Sequence, residues 1–119
     1  MSKTILIIDD EYIIRWILKG SLGKNDLTIM DASSGAEGIE LAKQLSPDLI
    51  IMDYKMPDMN GWQATSKIKE FLPNVIVIGH TGYANDKSRE EGIKLGCTEI
   101  LQKPVDLDIW NKIISKYLA

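Results

Sequence analysis

Apolar residues along the chain keep two alternating rhythms. Short blocks rich in β-branched residues run from Thr4 to Asp9, Leu27 to Asp31, Leu49 to Asp53, Val75 to His80 and Glu99 to Gln102. Continuous runs of this kind, bounded by turn residues, read as strands buried on both faces of a parallel sheet. Between and after them the spacing changes to that of helices. From Glu11 to Leu22, Ile14, Ile17, Leu18, Ser21 and Leu22 fall on one stripe, with Trp16 on the opposite face. A second helix is expected from Ser34 to Leu45, burying Ala36, Ile39, Leu41, Ala42 and Leu45 and stopping before Ser46-Pro47-Asp48. A third spans Asn60 to Leu72 with Trp62, Thr65, Ile68, Phe71 and Leu72 inward, and a fifth, capped by Asp106, buries Leu107, Trp110, Ile113, Ile114 and Tyr117. The fourth, between Asn85 and Leu95, offers only Ile93 and Leu95 as large apolar residues and contains Gly92. Glycine costs about 1 kcal/mol in a helix interior, so this helix is expected to be the least stable.

Strand and helix thus alternate through five βα units, with no repeat or low-complexity segment between them. Right-handed crossovers then give an α/β fold, a three-layer α/β/α sandwich around a parallel sheet, with expected strand order 2-1-3-4-5. In such sheets ligands bind beyond the carboxyl ends of the strands, where strand order reverses. At those ends stand Asp9 and Asp10 after Ile5-Leu6-Ile7-Ile8, and Asp53 after Leu49-Ile50-Ile51-Met52. Two carboxylates at ~5 Å repel by roughly 3 kcal/mol at an effective dielectric near 20. Three together call for a cation, and an all-oxygen donor set suits Mg²⁺ or Mn²⁺ better than zinc. Thr81 and Lys103 fall at strand ends on the same edge. A hydroxyl and a point positive charge beside a metal-bound carboxylate are the groups needed to hold phosphate oxygens.

A length of 119 residues, 45% hydrophobic and 26% charged, fits one globular domain, residues 1–119. With a net charge of −3 and dispersed basic residues, no stripe for nucleic acid stands out. The apolar runs are far too short for a membrane span, and no signal-peptide pattern opens the chain; a cytoplasmic protein is expected. The single Cys97 reads as a small core residue. The single His80 lies one position before Thr81, so strand alternation turns it to the other face, where packing is its expected role.

With these residues in view, the chain resembles the response-regulator receiver domains of two-component signalling. The matching segments are ILIIDDE, DLIIMDYKMPDMNG, Thr81-Gly82 and QKP, in order over the whole length. The resemblance implies the flavodoxin-like fold and makes Asp53 the phosphoacceptor. It implies that Asp9, Asp10, Asp53 and the backbone carbonyl of Lys55 are the Mg²⁺ ligands, with Mn²⁺ as a substitute. Thr81 would be the switch hydroxyl and Lys103 the phosphate-binding cation. It implies a phosphoacceptor that catalyses only its own phosphorylation and dephosphorylation. Its partners would be a sensor histidine kinase, a histidine phosphotransfer protein, or both, together with a downstream effector protein. Where the family carries Tyr or Phe three residues before the lysine, this chain has Ile100, so switching is expected to work through the fourth helix and its preceding loop rather than through a ring. Lys55 and Tyr83, two residues past Asp53 and Thr81, would flank the path of an attacking water, as in the single-domain receiver of the sporulation phosphorelay.

Other classes fit less well. An enzyme of the haloacid-dehalogenase type would carry a second Asp where Lys55 stands. A flavodoxin-like electron carrier would have a Ser, Thr and Gly loop where Asp9-Asp10-Glu11 stands, and a passive receiver-like binding module would lack part of the acidic or lysine set.

Overall fold

The computed structural model describes residues 2–23 and 26–119. Its strands are β1 (Lys3–Ile8), β2 (Leu27–Ala32), β3 (Leu49–Met52), β4 (Ile76–Thr81) and β5 (Glu99–Gln102), and its helices α1 (Tyr12–Leu22), α2 (Gly35–Leu45), α3 (Gly61–Phe71), α4 (Asp86–Leu95) and α5 (Leu107–Leu118). All strand pairs are parallel, in the order β2-β1-β3-β4-β5. This is the expected doubly wound topology. Strand order reverses between β1 and β3, whose registers pair Ile8 with Met52. The residues that follow these two ends, Asp9 and Asp53, therefore leave the sheet side by side.

Side-chain alternation along β1 feeds two separate cores. Leu6 and Ile8 join Ala42 of α2 and Trp62, Ala64 and Ile68 of α3 on one face. Ile5 and Ile7 join Leu18 and Leu22 of α1 and Trp110 and Ile113 of α5 on the other. Leu95 of α4 packs against the first core as well, so three helices cover one face and two the other, which makes the three layers.

Several sequence expectations shift in detail. β1 and β3 stop one residue before their aspartates, whereas β4 runs on to Thr81, whose carbonyl accepts from Lys103 N at 2.8 Å. On α1 the buried face centres on Leu18 and Leu22, and Ile17 is 47% exposed. It stands about 100° from Leu18 around the helix, past the edge of the stripe. On α2 Ala36 is exposed and the closest approach is made by glycines. A Cβ on Gly38 would lie 2.5 Å from Ile8 Cδ1, so helix and strand touch there backbone to side chain. Leu107, the first residue of α5, is 39% exposed, and Asp106 caps that helix through its carbonyl, which accepts from Ile109 N and Trp110 N, rather than through its side chain.

Of the expected pair on helix α4, Leu95 packs against the core but Ile93 does not. Ile93 is 51% exposed, and the buried residue of the helix is Gly92. A Cβ there would meet Ile100 Cδ1 at 2.5 Å and the Trp62 ring at 3.0 Å. The glycine trades helix propensity for contact. Polar bonds finish the docking: Trp62 Nε1 donates to Ser88 Oγ at 3.2 Å and Arg89 Nη1 to the Ile100 carbonyl at 2.8 Å.

Candidate functional site

Because β1 and β3 are neighbours and parallel, one end of the sheet gathers Asp9, Asp10 and Asp53, with one carboxylate oxygen from each within 4.8 Å of the others. Asp9 and Asp53 are buried and Asp10 is exposed. The chain beyond Asp53 is held close by Gly61, where a Cβ would fall 1.9 Å from the Asp53 carbonyl oxygen, so no side chain fits. Asn60 and Gln63 then close a capping box on α3.

Lys103, just past β5, reaches across the sheet end. Its Nζ donates to Asp9 Oδ2 at 3.0 Å, Asp53 Oδ1 at 3.2 Å and Glu11 Oε1 at 3.4 Å. The Lys103-Pro104 peptide bond is cis. Thr81 is fully buried, and its Oγ1 accepts from Tyr83 N at 3.0 Å. Lys55 and Tyr83 face each other across the opening, with Lys55 Nζ 5.2 Å from the Tyr83 ring centroid. Among the described residues the Lys55 carbonyl accepts no hydrogen bond from another backbone N–H. Asp10, Glu11, Asp53, Lys55, Tyr83 and Lys103 are among the residues lining a cleft of about 350 Å³ here.

The electrostatics are those of an incompletely neutralised acidic pocket. Burial and then the neighbouring Asp9 charge push the Asp53 carboxyl up to about 7, against the pull of Lys103. Burial also raises Asp9, although Glu11 N donates to its Oδ1 at 2.9 Å. Burial acts to lower the Lys103 ammonium, but its bonds to Asp9 and the charge of Asp53 outweigh that and hold it above the ordinary lysine value. One lysine cannot balance the aspartates and Glu11. Converging carboxylates with a net negative balance and only oxygen donors fit a hard divalent cation such as Mg²⁺.

His80 lies on the other face of β4, as alternation requires. It packs edge-on against Trp110 with ring centroids 5.1 Å apart, and burial followed by the Lys103 charge lowers its pKa to about 4, which keeps it neutral. Burial pushes the Cys97 thiol up to about 12, so it is inert as a nucleophile.

Three contributors have no local sequence signal strong enough to single them out. Glu11 supplies the third acceptor for Lys103, Arg15 Nη1 donates to the Asp9 carbonyl at 2.8 Å, and Asp58 caps α2 by accepting from Gly35 N and Ala36 N. Glu11 could have been suspected from its place beside the acidic pair. The partners of Arg15 and Asp58 are visible only once the chain is folded.

Fold and site together define a doubly wound domain whose one sheet end holds an acidic, lysine-bridged pocket. The family model for the response regulator receiver domain matches residues 5–115. Sporulation initiation phosphotransferase F of Bacillus subtilis is 31% identical over 118 residues, covering 99% of this chain and 95% of that protein. Chemotaxis protein CheY of Halobacterium salinarum is 31% identical, covering 97% of this chain and 99% of that protein. Among solved structures, a CheY-like response regulator receiver domain protein from Methanospirillum hungatei superposes with a TM-score of 0.92 at 29% identity, covering 98% of this chain and 94% of that one. The chain belongs to the response regulator receiver domain family, a family of phosphoacceptor signalling proteins.

Proposed function

We propose that this receiver takes a phosphoryl group onto Asp53 from a phosphohistidine donor, in a Mg²⁺-dependent reaction, and then signals by a change of conformation or passes the group on. The observation that carries the reading is the buried Asp53 carboxylate, with one oxygen 3.2 Å from Lys103 Nζ and the carboxylates of Asp9 and Asp10 beside it. Asp9, Asp10, Asp53 and the Lys55 carbonyl would hold the cation, Mg²⁺ or Mn²⁺, which supplies charge neutralisation for the phosphoryl oxygens.

In the transfer, an Asp53 oxygen attacks phosphorus as the bond from phosphorus to the donor imidazole nitrogen breaks, and the electron pair leaves with that nitrogen. The loose transition state places its charge on the equatorial oxygens. Lys103 Nζ, already between Asp9 and Asp53, is positioned to bind one of them. The Thr81 hydroxyl, now accepting from Tyr83 N, would turn to donate to the acyl phosphate. Residues 1–119 work as one receiver unit that catalyses only its own phosphorylation and dephosphorylation. Its partners are a sensor histidine kinase or a histidine phosphotransfer protein, and an effector protein downstream. No helix among the described residues is long and apolar enough to cross a membrane; work in the cytoplasm alongside such partners is part of the proposal.

Acetyl phosphate tests this without any partner. Intact-mass measurement should show one added phosphoryl group in the presence of Mg²⁺, and none with EDTA or in Asp53→Asn. Labelling that persists in Asp53→Asn would move the acceptor elsewhere.

A further inference from the structure

Successive side chains on an extended strand point to opposite faces, so Asp9 and Asp10 converge on one site only because the chain leaves the extended form just there. Two hydrogen bonds hold that departure. Glu11 N donates to Asp9 Oδ1 at 2.9 Å, and Arg15 Nη1 donates to the Asp9 carbonyl at 2.8 Å. The same guanidinium donates through Nε to Asp31 Oδ2 at 2.9 Å, while Lys19 Nζ holds the other oxygen of Asp31 at 3.1 Å. The Arg15 side chain is 13% exposed, and Asp31 lies near the end of β2.

We infer that Arg15 is a positioning residue for the cation site, fastening the Asp9 carbonyl to Asp31 so that the Asp9 and Asp10 carboxylates stay turned toward Asp53. The inference rests on the metal reading above and adds to it a residue that touches neither cation nor phosphoryl group. A planar guanidinium suits the task because it offers several donors at fixed angles and can bridge a carbonyl and a carboxylate at once.

Charge gives the test its sign. A guanidinium near a cation site, acting through space alone, opposes the cation, so neutralising it should tighten binding. A positioning role requires the reverse. Mg²⁺ affinity of the full chain is measured by calorimetric titration, with metal-free melting curves beside it. Arg15→Gln is expected to weaken binding about tenfold. Arg15→Lys, which keeps the charge but loses the fork, should also weaken it, and the lysine variant decides if the glutamine variant does not fold. Unchanged or tighter binding in Arg15→Gln, or wild-type affinity in Arg15→Lys, overturns the role. A wild-type protein that binds no Mg²⁺ fails the site reading itself, and the inference falls with it.

Discussion

At the residue scale, Asp53 carries a cost that the proposed phosphoacceptor role explains. A carboxyl raised from the ordinary 3.8 to about 7 holds its proton in the folded state long after the unfolded chain has lost it. Metal-free stability should therefore fall as pH rises from about 4 to about 7, with the full penalty present above that window. Asp53→Asn removes the titration. Its metal-free unfolding curve should be flatter with pH and more stable at pH 8, by at most about 4 kcal/mol, because each tenfold change in proton affinity corresponds to about 1.4 kcal/mol. Chemical denaturation at pH 5 and pH 8 checks this, and a variant less stable at pH 8 would show that Lys103 already balances the pocket. Lys55 and Tyr83 would matter after transfer instead. Their contact spans the opening, with 5.2 Å from ammonium to ring centroid. If they keep water from the acyl phosphate, replacing both with alanine should speed loss of label several-fold; an unchanged lifetime removes the shielding role.

At the element scale, α4 shows what the apolar pattern hides. Counting large apolar residues finds Ile93 and Leu95, yet Ile93 is half exposed, Leu95 only borders the core, and the closest approach is made through Gly92 against Ile100 and Trp62. A residue without a side chain leaves no mark in a hydrophobic pattern, and its role depends on partners in β5 and α3. Ile100 fits the same place: its Cγ1 also approaches Gly79, within 3.1 Å of where a Cβ would stand, so it fills the gap between the two glycines. Gly92→Ala should therefore destabilise the protein by about 1 kcal/mol, because overpacking outweighs the propensity that alanine gains. Adding Ile100→Val withdraws the Cδ1 that clashes and should recover part of the loss. A stabilising Gly92→Ala would mean that the helix can move away freely. The capping of α2 by Asp58, from a loop across the domain, was hidden for a related reason: caps are sought next to the helix they close, and this one comes from beyond β3.

At the scale of the whole molecule, alternation of buried strands and helices was enough to give the order β2-β1-β3-β4-β5, because right-handed crossovers leave few alternatives. That order brings Asp9 and Asp53 together, so the acidic cluster and its lysine were legible from strand ends alone. Helix faces were read less well: Ile17, Ala36 and Leu107 point outward because a stripe fixes a helix face only to within a residue position at its edge. The central claim is that this sheet end makes Asp53 a phosphoacceptor. Its most direct test is to react the Mg²⁺ protein with acetyl phosphate, reduce with borohydride, and sequence the peptides by mass spectrometry. An acyl phosphate on an aspartate is converted to homoserine at the residue that carried it. The account predicts homoserine at position 53 and nowhere else; homoserine at Asp9, Asp10 or another position, with Asp53 intact, would contradict it.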